Sequence, residues 1–379
     1  MKEKKGKGNI EESISEYREK GREKRSKRGL KGIMVLVMVM MGCNSGGVSG
    51  KGEGTGGGDG RGLSGAMMEV GRSAERAFYA FIELMSDVLG FTAKVDTKKS
   101  DVGNYFNSLG VKLGEAMKEL EEVAKKSEVG VGKEEESKDE KNAIREAVDA
   151  AKGVLDTLKG HLESLGKVGD ASVVGDAASN AQGVAANTDE LKKAYSALKG
   201  IVDTSVEKGV EKPKAGDVAV KVGSADNKEG AKILAAGANA GAAVGEKAAA
   251  IVSSVSGKEI LAAIVKSGEG DAAEAIAANV DGTTSALKFA KGGPVANLAQ
   301  GTALAGAVSG GIVLRSLVKG GKLAANDNDD DKVVQSVGIS AVNKLLVAVE
   351  DIIKKTVKNV LGTAKQKIDE ARVSKKESQ

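Results

Sequence analysis

The stretch Lys332–Glu370, KVVQSVGISAVNKLLVAVEDIIKKTVKNVLGTAKQKIDE, decides the fold class. Val334, Val337, Ala341, Leu345, Val349, Ile352, Ile353, Val357, Leu361 and Ile368 recur in it at helical spacing, the apolar stripe of an amphipathic α-helix. The spacing predicts a helix of up to 39 residues. At about 1.5 Å per residue such a helix is nearly 60 Å long, enough to run the length of a bundle.

Working back from it, three further helices have the same period. Ile144, Val148, Ala151, Leu155, Leu158, Leu162 and Leu165 form one stripe. Leu191, Tyr195, Leu198, Val202 and Val206 form another, with Asn187 or Thr188 as N-cap and Pro213 as its end. Val102, Tyr105, Phe106, Leu109, Leu113, Met117, Leu120 and Val123 form a third, opened near Asp101 and followed by a charged turn from Lys125 to Lys141. Ahead of these, Met67, Val70, Ala74, Ala77, Phe78, Phe81, Ile82, Met85, Val88 and Leu89 mark a helix ended by Gly90. Six of the nine aromatic residues, Phe78, Tyr79, Phe81, Phe91, Tyr105 and Phe106, fall in or between the first two helices, a pattern of core packing.

Between Pro213 and Asp331 the texture changes. Ten of the twenty residues from Ala231 to Ala250 are alanine and three are glycine. Short helices are expected over Lys228–Val244, Glu246–Ser254, Lys258–Lys266, Asp271–Asn279 and Val295–Lys319, broken at Gly- and Ser-rich joints. Small side chains each bury little area, so this region is expected to lean on the long flanking helices more than on a core of its own. The fold class is therefore all-α: an elongated antiparallel helical bundle, with long N- and C-terminal framework helices and an Ala/Gly-rich insertion of short helices.

Charge separates the ends from the middle. The 379 residues carry a formal +4, with 52 glycines, 2 prolines and no tryptophan. Residues 1–42 hold twelve Lys/Arg against six Glu, a net of +6, and removing them leaves 45 basic and 47 acidic residues. The remainder is slightly acidic, which withdraws the argument for a nucleic-acid partner. Ile33 to Met41 is an apolar run of nine behind a basic stretch, too short to span a bilayer that needs about 20 residues, and reads as the h-region of a signal peptide. Directly behind it Gly42-Cys43-Asn44-Ser45 places the single cysteine where a bacterial lipoprotein is cut and acylated. From Asn44 to Gly65, 11 of 22 residues are glycine, the composition of a flexible tether with a reach of about 25 Å. The expected organisation is a signal peptide over 1–42, a lipidated tether over 43–65, a helical domain over 66–370 and a disordered tail over 371–379. Within the helical domain, residues 213–331 are the Ala/Gly-rich part.

Catalytic and ligand chemistry is sparse. His161 is the single histidine, set beside Leu158, Leu162 and Leu165, and reads as packed or surface-lying, so no multi-His metal site is expected. With Cys43 assigned to lipid, no Cys–His nucleophilic pair remains. Asp327-Asn328-Asp329-Asp330-Asp331 begins like a calcium loop, but Lys332 stands in the turn-glycine position and Gly338 in that of the bidentate glutamate, which leaves a solvated acidic loop. The pairs Gly50-Lys51, Gly257-Lys258 and Gly321-Lys322 lack the spacing of a phosphate loop. The two G-x-G-x-x-G matches, at Gly52–Gly57 and Gly60–Gly65, lie in the glycine tract with no strand before them. No enzyme activity, cofactor, metal or small-molecule substrate is expected.

Several stretches together resemble the variable large proteins of relapsing-fever Borrelia, variable major surface lipoproteins related to the Vls antigen of the Lyme group. These are the leader with Cys43, Ala77-Phe78-Tyr79-Ala80-Phe81, Gly90-Phe91-Thr92-Ala93-Lys94, Lys98-Lys99-Ser100-Asp101-Val102-Gly103-Asn104-Tyr105-Phe106, the Ala/Gly-rich middle and the helix from Lys344 to Lys365. The resemblance implies an outer-membrane, surface-exposed lipoprotein with its termini near the membrane. It implies antigenic variation and evasion of host antibody as the role, with the variable segments, expected within 213–331, facing outward. It carries over one functional residue, Cys43, as the site of diacylglycerol attachment and N-acylation. Host antibodies are the implied partners, and a homodimer is left open. The alternative reading is an adhesin for a host protein or glycosaminoglycan.

Overall fold

The computed structural model describes residues 90–129, 136–178, 181–222, 225–326 and 328–373. The leader, Cys43, the tether and the helix expected over 67–89 lie outside them. Among the described residues the fold is all-α, with two-residue strands and a few single-residue bridges as its extended pairing.

Four long helices frame the molecule: α1 Lys99–Val129, α2 Glu136–Leu165, α3 Thr188–Glu207 and, last in the chain, a helix of 46 residues, Asn328–Val373. Most of each predicted apolar stripe is buried, as at Leu109 and Leu113 in α1, Leu155, Leu158 and Leu162 in α2, and Leu191 and Leu198 in α3; Met117 is half-buried and Val206 is exposed, while Ile201, outside the predicted stripe, is buried. α2 lies against α1, α3 and the last helix, so the stripes meet in one continuous core.

Both helices around the expected charged turn run into it, α1 to Val129 and α2 from Glu136. Lys, Arg and Glu are good helix formers, and Glu121 bridges the two helices by pairing with Arg145 and Lys152. α3 stops at Glu207, six residues before Pro213. Its terminator is Gly209 at φ 79°, where Val210 N–H reaches Ser205 O and Gly209 N–H reaches Val206 O, the paired bonds of a Schellman end. Its start is Asn187, whose side chain accepts from the N–H groups of Asp189 and Glu190.

The middle segment differs most from expectation. Lys228–Leu234 is a 3-10 turn and the chain leaves helix by Ala235, ten residues before the next one. Then come α4 Gly245–Ser253, α5 Gly257–Lys266, a 3-10 turn at Glu269–Ala273, α6 Ala286–Lys291, α7 Val295–Leu298 and α8 Ala305–Leu317, leaving α9 as the long Asn328–Val373. Asp271–Asn279 is thus not one helix, α6 had no predicted counterpart, and the single helix expected over Val295–Lys319 is two, parted by an irregular link. Two-residue strands fasten the ends: β1 Ala177–Ala178 pairs in parallel with β4 Leu323–Ala324, and β2 Lys221–Val222 pairs antiparallel with β3 Ala225–Asp226.

Nor does this region merely lean on its neighbours. All thirteen residues of α8 are buried, against α5, α6 and α9. Glycine permits the approach: a Cβ at Gly310 would lie 2.8 Å from that of Ala286, and one at Gly311 2.4 Å from that of Phe289. Large side chains are buried beside these close contacts, Ile260, Leu261, Ile264, Leu287, Phe289 and Ile312 among them, so the region has a core of its own. α9 continues to Val373, past the expected start of the tail at 371.

Candidate functional site

Of the residues singled out from the sequence, Cys43, Gly50-Lys51 and the two G-x-G-x-x-G matches lie outside the described residues, and His161, Gly257 and Gly321 serve the fold. His161 projects from α2 onto α3, where a Cβ at Gly200 would lie 2.2 Å from its ring. Burial lowers its pKa below the usual histidine value, against an opposing pull from Asp203, so the ring is neutral at pH 7. Gly257 lies so near α9 that a Cβ would fall 2.0 Å from Lys344 O, and Gly321 offers its carbonyl to a lysine. Neither is a phosphate loop.

The expected solvated acidic loop is instead the first turn of α9. Asp330 is buried; its Oδ1 accepts from Val244 N–H at 3.1 Å and Gly245 N–H at 2.9 Å, and its Oδ2 from Asn326 N–H at 2.9 Å. A carboxylate at the start of α4 satisfies orphan amides and meets the positive end of the helix dipole. At the other end of α4, Lys344 donates to Val252 O at 2.7 Å and Val255 O at 2.6 Å. α9 therefore holds α4 at both termini.

Two buried cations went unrecognised in the sequence. Lys99 Nζ donates to Arg315 O, Val318 O and Gly321 O at 3.5, 3.2 and 2.6 Å, closing the C-terminal end of α8. Burial is the chief cause that lowers its pKa to about 8, with Asp170 and Asp176 opposing. Arg315, wholly enclosed, donates to Ala290 O at 3.1 Å, Ala235 O at 2.7 Å and Phe289 O at 3.5 Å. Its guanidinium is pulled downward by burial yet stays protonated at neutral pH. Arg315, alone within Ile312-Val313-Leu314 and Leu317-Val318, could have been flagged, since a charge at such a place needs carbonyls or carboxylates around it, whereas Lys99 sits in the polar run Thr97-Lys98-Lys99-Ser100-Asp101 and has no such signal.

An open groove of about 710 Å³ runs between the 94–95 turn and α9, past Val95, Ile339 and Val347. Three of its polar side chains are already engaged: Asn343 exchanges two hydrogen bonds with the Ala93 backbone, Lys344 caps α4, and Ser336 donates to Lys332 O. Among the described residues, no cluster of three or more His, Cys, Asp or Glu is placed to hold a metal.

What remains available to a partner is surface. Residues 207–218, 237–244 and 268–283 are mostly exposed connectors beside the α4–α8 core. Single buried residues pin them, Val210, Ala240, Ala272, Ile276 and Val280. So do backbone bonds: Val220 N–H to Ala303 O, Ile276 N–H to Gly292 O and Val280 N–H to Asn297 O, each between 2.8 and 3.0 Å. Most side chains between those pins are in solvent, while Asn239, Asp271 and Asp281 brace their own turns by accepting from the N–H groups of Gly241, Gly268 and Thr283.

A helical frame carrying pinned, solvent-facing connectors agrees with what the chain resembles. A family model described as Borrelia lipoprotein matches residues 74–368, and the protein belongs to that family. Within it the chain falls among the variable large proteins: it is 62% identical over 347 residues to Variable large protein 25 of Borrelia hermsii, covering 90% of this chain and 94% of that one. It is 58% identical over 314 residues to Variable large protein 21 of the same organism, covering 82% and 85%. The fold matches the crystal structure of the Lyme disease variable surface antigen VlsE of Borrelia burgdorferi, at a TM-score of 0.63 and 23% identity over 81% of this chain and 98% of that chain.

Proposed function

We propose that this protein is an outer-surface lipoprotein, held in the outer membrane by acyl chains on Cys43, that displays an exchangeable antigenic surface and so evades host antibody. The pinned connectors carry this reading: their exposed side chains can change while their buried pins and backbone bonds persist. Exposed substitutions of that kind cost within about 0.5 kcal/mol each. The lipoprotein family and the variable relatives support it, as does the order of basic leader, apolar run and Cys43. Two acyl chains, at about 0.8 kcal/mol per buried CH₂, give stable anchorage.

Two measurements test it. Ala275→Lys, Ala277→Glu and Asn279→Lys together should leave the melting temperature within a few degrees and abolish binding of monoclonal antibodies raised to this connector, whereas Ile276→Ala should cost about 2–3 kcal/mol. Undiminished binding of all such antibodies to the triple variant would count against a displayed surface here. Cys43→Ala should move the protein from the detergent to the aqueous phase in phase partitioning, with its helical circular dichroism unchanged. A variant still in the detergent phase would rule out the lipid anchor.

A further inference from the structure

Three segments distant in sequence meet at one end of α3. Asn359 of α9 donates to Lys208 O at 2.8 Å, which ties the loop after α3 to the helix. Asp351, two turns earlier in α9, accepts from Lys258 of α5 at 3.1 Å and from Lys355 at 2.9 Å. The Lys355 ammonium is raised chiefly by that bond, and Glu211 of the loop adds to it, so loop and helix share one electrostatic neighbourhood.

Lysine dominates this surface. Lys208, Lys212 and Lys214 come from the loop and Lys354, Lys355 and Lys358 from α9, all exposed. Of the carboxylates, Asp351 serves Lys258 and Lys355, and Glu211 serves Lys214. Lys208, Lys212, Lys354 and Lys358 have no ion-pair partner among the described residues, in a chain that is net negative beyond residue 42. On α9, Lys354 and Lys358 stand one turn apart, about 6 Å along the axis. The cluster contains no arginine fork for bidentate phosphate recognition and no aromatic ring for stacking on bases or seating in a bilayer interface. Separate point charges on long flexible stems suit a flexible polymer carrying repeated fixed anions.

We infer that the surface formed by the 208–214 loop and the 354–358 turn of α9 binds a sulfated polysaccharide. Attraction to such a chain is additive over the lysines, releases its counterions and weakens steeply with salt. The function would be attachment to host matrix, through lysines of which Lys208, Lys212 and Lys214 lie in the 207–218 connector.

The test uses the full chain in detergent micelles, with immobilised heparin as the probe, chemically desulfated heparin as its control, and vesicles with and without acidic phospholipid. The parent protein should bind heparin, and not the desulfated form, with an affinity that falls as salt rises. Lys212→Glu, Lys354→Glu and Lys358→Glu combined should weaken binding by about tenfold or more and flatten the salt dependence. Lys212→Gln, Lys354→Gln and Lys358→Gln should give a smaller loss in the same direction. Lys118→Glu, Lys247→Glu and Lys319→Glu, an equal change of net charge on exposed lysines elsewhere, should stay within about twofold of the parent. Matching melting temperatures would show that all three variants fold. Equal losses in the two Glu triples, binding to desulfated heparin, or preferential binding to acidic vesicles through the same lysines would each overturn the inference.

Discussion

Lys99 sets an ammonium on three carbonyls at the end of α8, and its charge makes stability depend on pH there. Its folded pKa of about 8 lies below the ordinary lysine value of 10.5. Above pH 8 the folded protein releases this proton while the unfolded chain retains it, so the site's contribution to stability rises between about pH 8 and 10.5. Below pH 8 the charged, buried form is carried at a cost, offset in part by its three bonds. Lys99→Met should lower stability at pH 7 by about 2–4 kcal/mol, because it strands buried carbonyls. The gap between parent and variant in urea unfolding should then widen by about 2 kcal/mol from pH 8 to pH 10. A gap constant across that range would mean that Lys99 does not titrate in the folded state. His161 gives a steric counterpart. Gly200→Ala should cost about 1–3 kcal/mol by driving a methyl into the ring, and most of that should return in the Gly200→Ala/His161→Ala double variant, read by thermal melts. Neither role was legible beforehand. That His161 would pack on or near an apolar stripe followed from Leu158, Leu162 and Leu165, but its contact, a glycine in another helix, has no local signature.

At the scale of elements, legibility tracked length and side-chain size. α1, α2, α3 and α9 announce themselves because large apolar residues recur over many turns, and their caps are local chemistry, as at Asn187. From Lys228 to Val318 that signal weakens, since alanine and glycine satisfy a helical period and a tight irregular turn equally well. What decides between them is tertiary: Gly292 at φ 66° ends α6, and the backbone at Ala235 pairs with Gly293. The candidate functional surface was legible only as a range, 213–331, whereas the exposed connectors begin at 207 and the most buried helix, α8, lies inside that range. Gly311→Ala examines α8 as an element. Alanine favours an isolated helix, yet here the added methyl meets Phe289. The substitution should lower the melting temperature without lowering helical content, a loss of about 1–3 kcal/mol by chemical denaturation. Stabilisation would mean that α6 and α8 have room between them.

Among the described residues, α9 is the element on which separate parts depend. Its first turn gives Asp330 to the start of α4, and its fifth gives Asn343 to the Ala93 backbone and Lys344 to the end of α4. Further along, Glu350 receives the Tyr105 hydroxyl of α1, and Asn359 holds the loop after α3. Its apolar side, from Val334 through Leu345, Ile353 and Val357 to Ile368, is buried against α2, α4, α5 and α8. A chain ending at Asp331 would keep α8 but expose faces of four helices at once and leave the α4 C-terminal carbonyls and the Ala93 backbone without these partners. Losses spread over so many contacts exceed the marginal stability of about 5–15 kcal/mol typical of a folded domain. The truncated chain should therefore show no cooperative thermal transition, reduced helical ellipticity and rapid proteolysis between α3 and α8. Supplying Lys332–Gln379 as a separate peptide should restore part of the transition in proportion to its concentration. A truncated chain that melted as sharply as the full one would show that the α4–α8 core stands alone, and that α9 serves it as a cover and not as its frame.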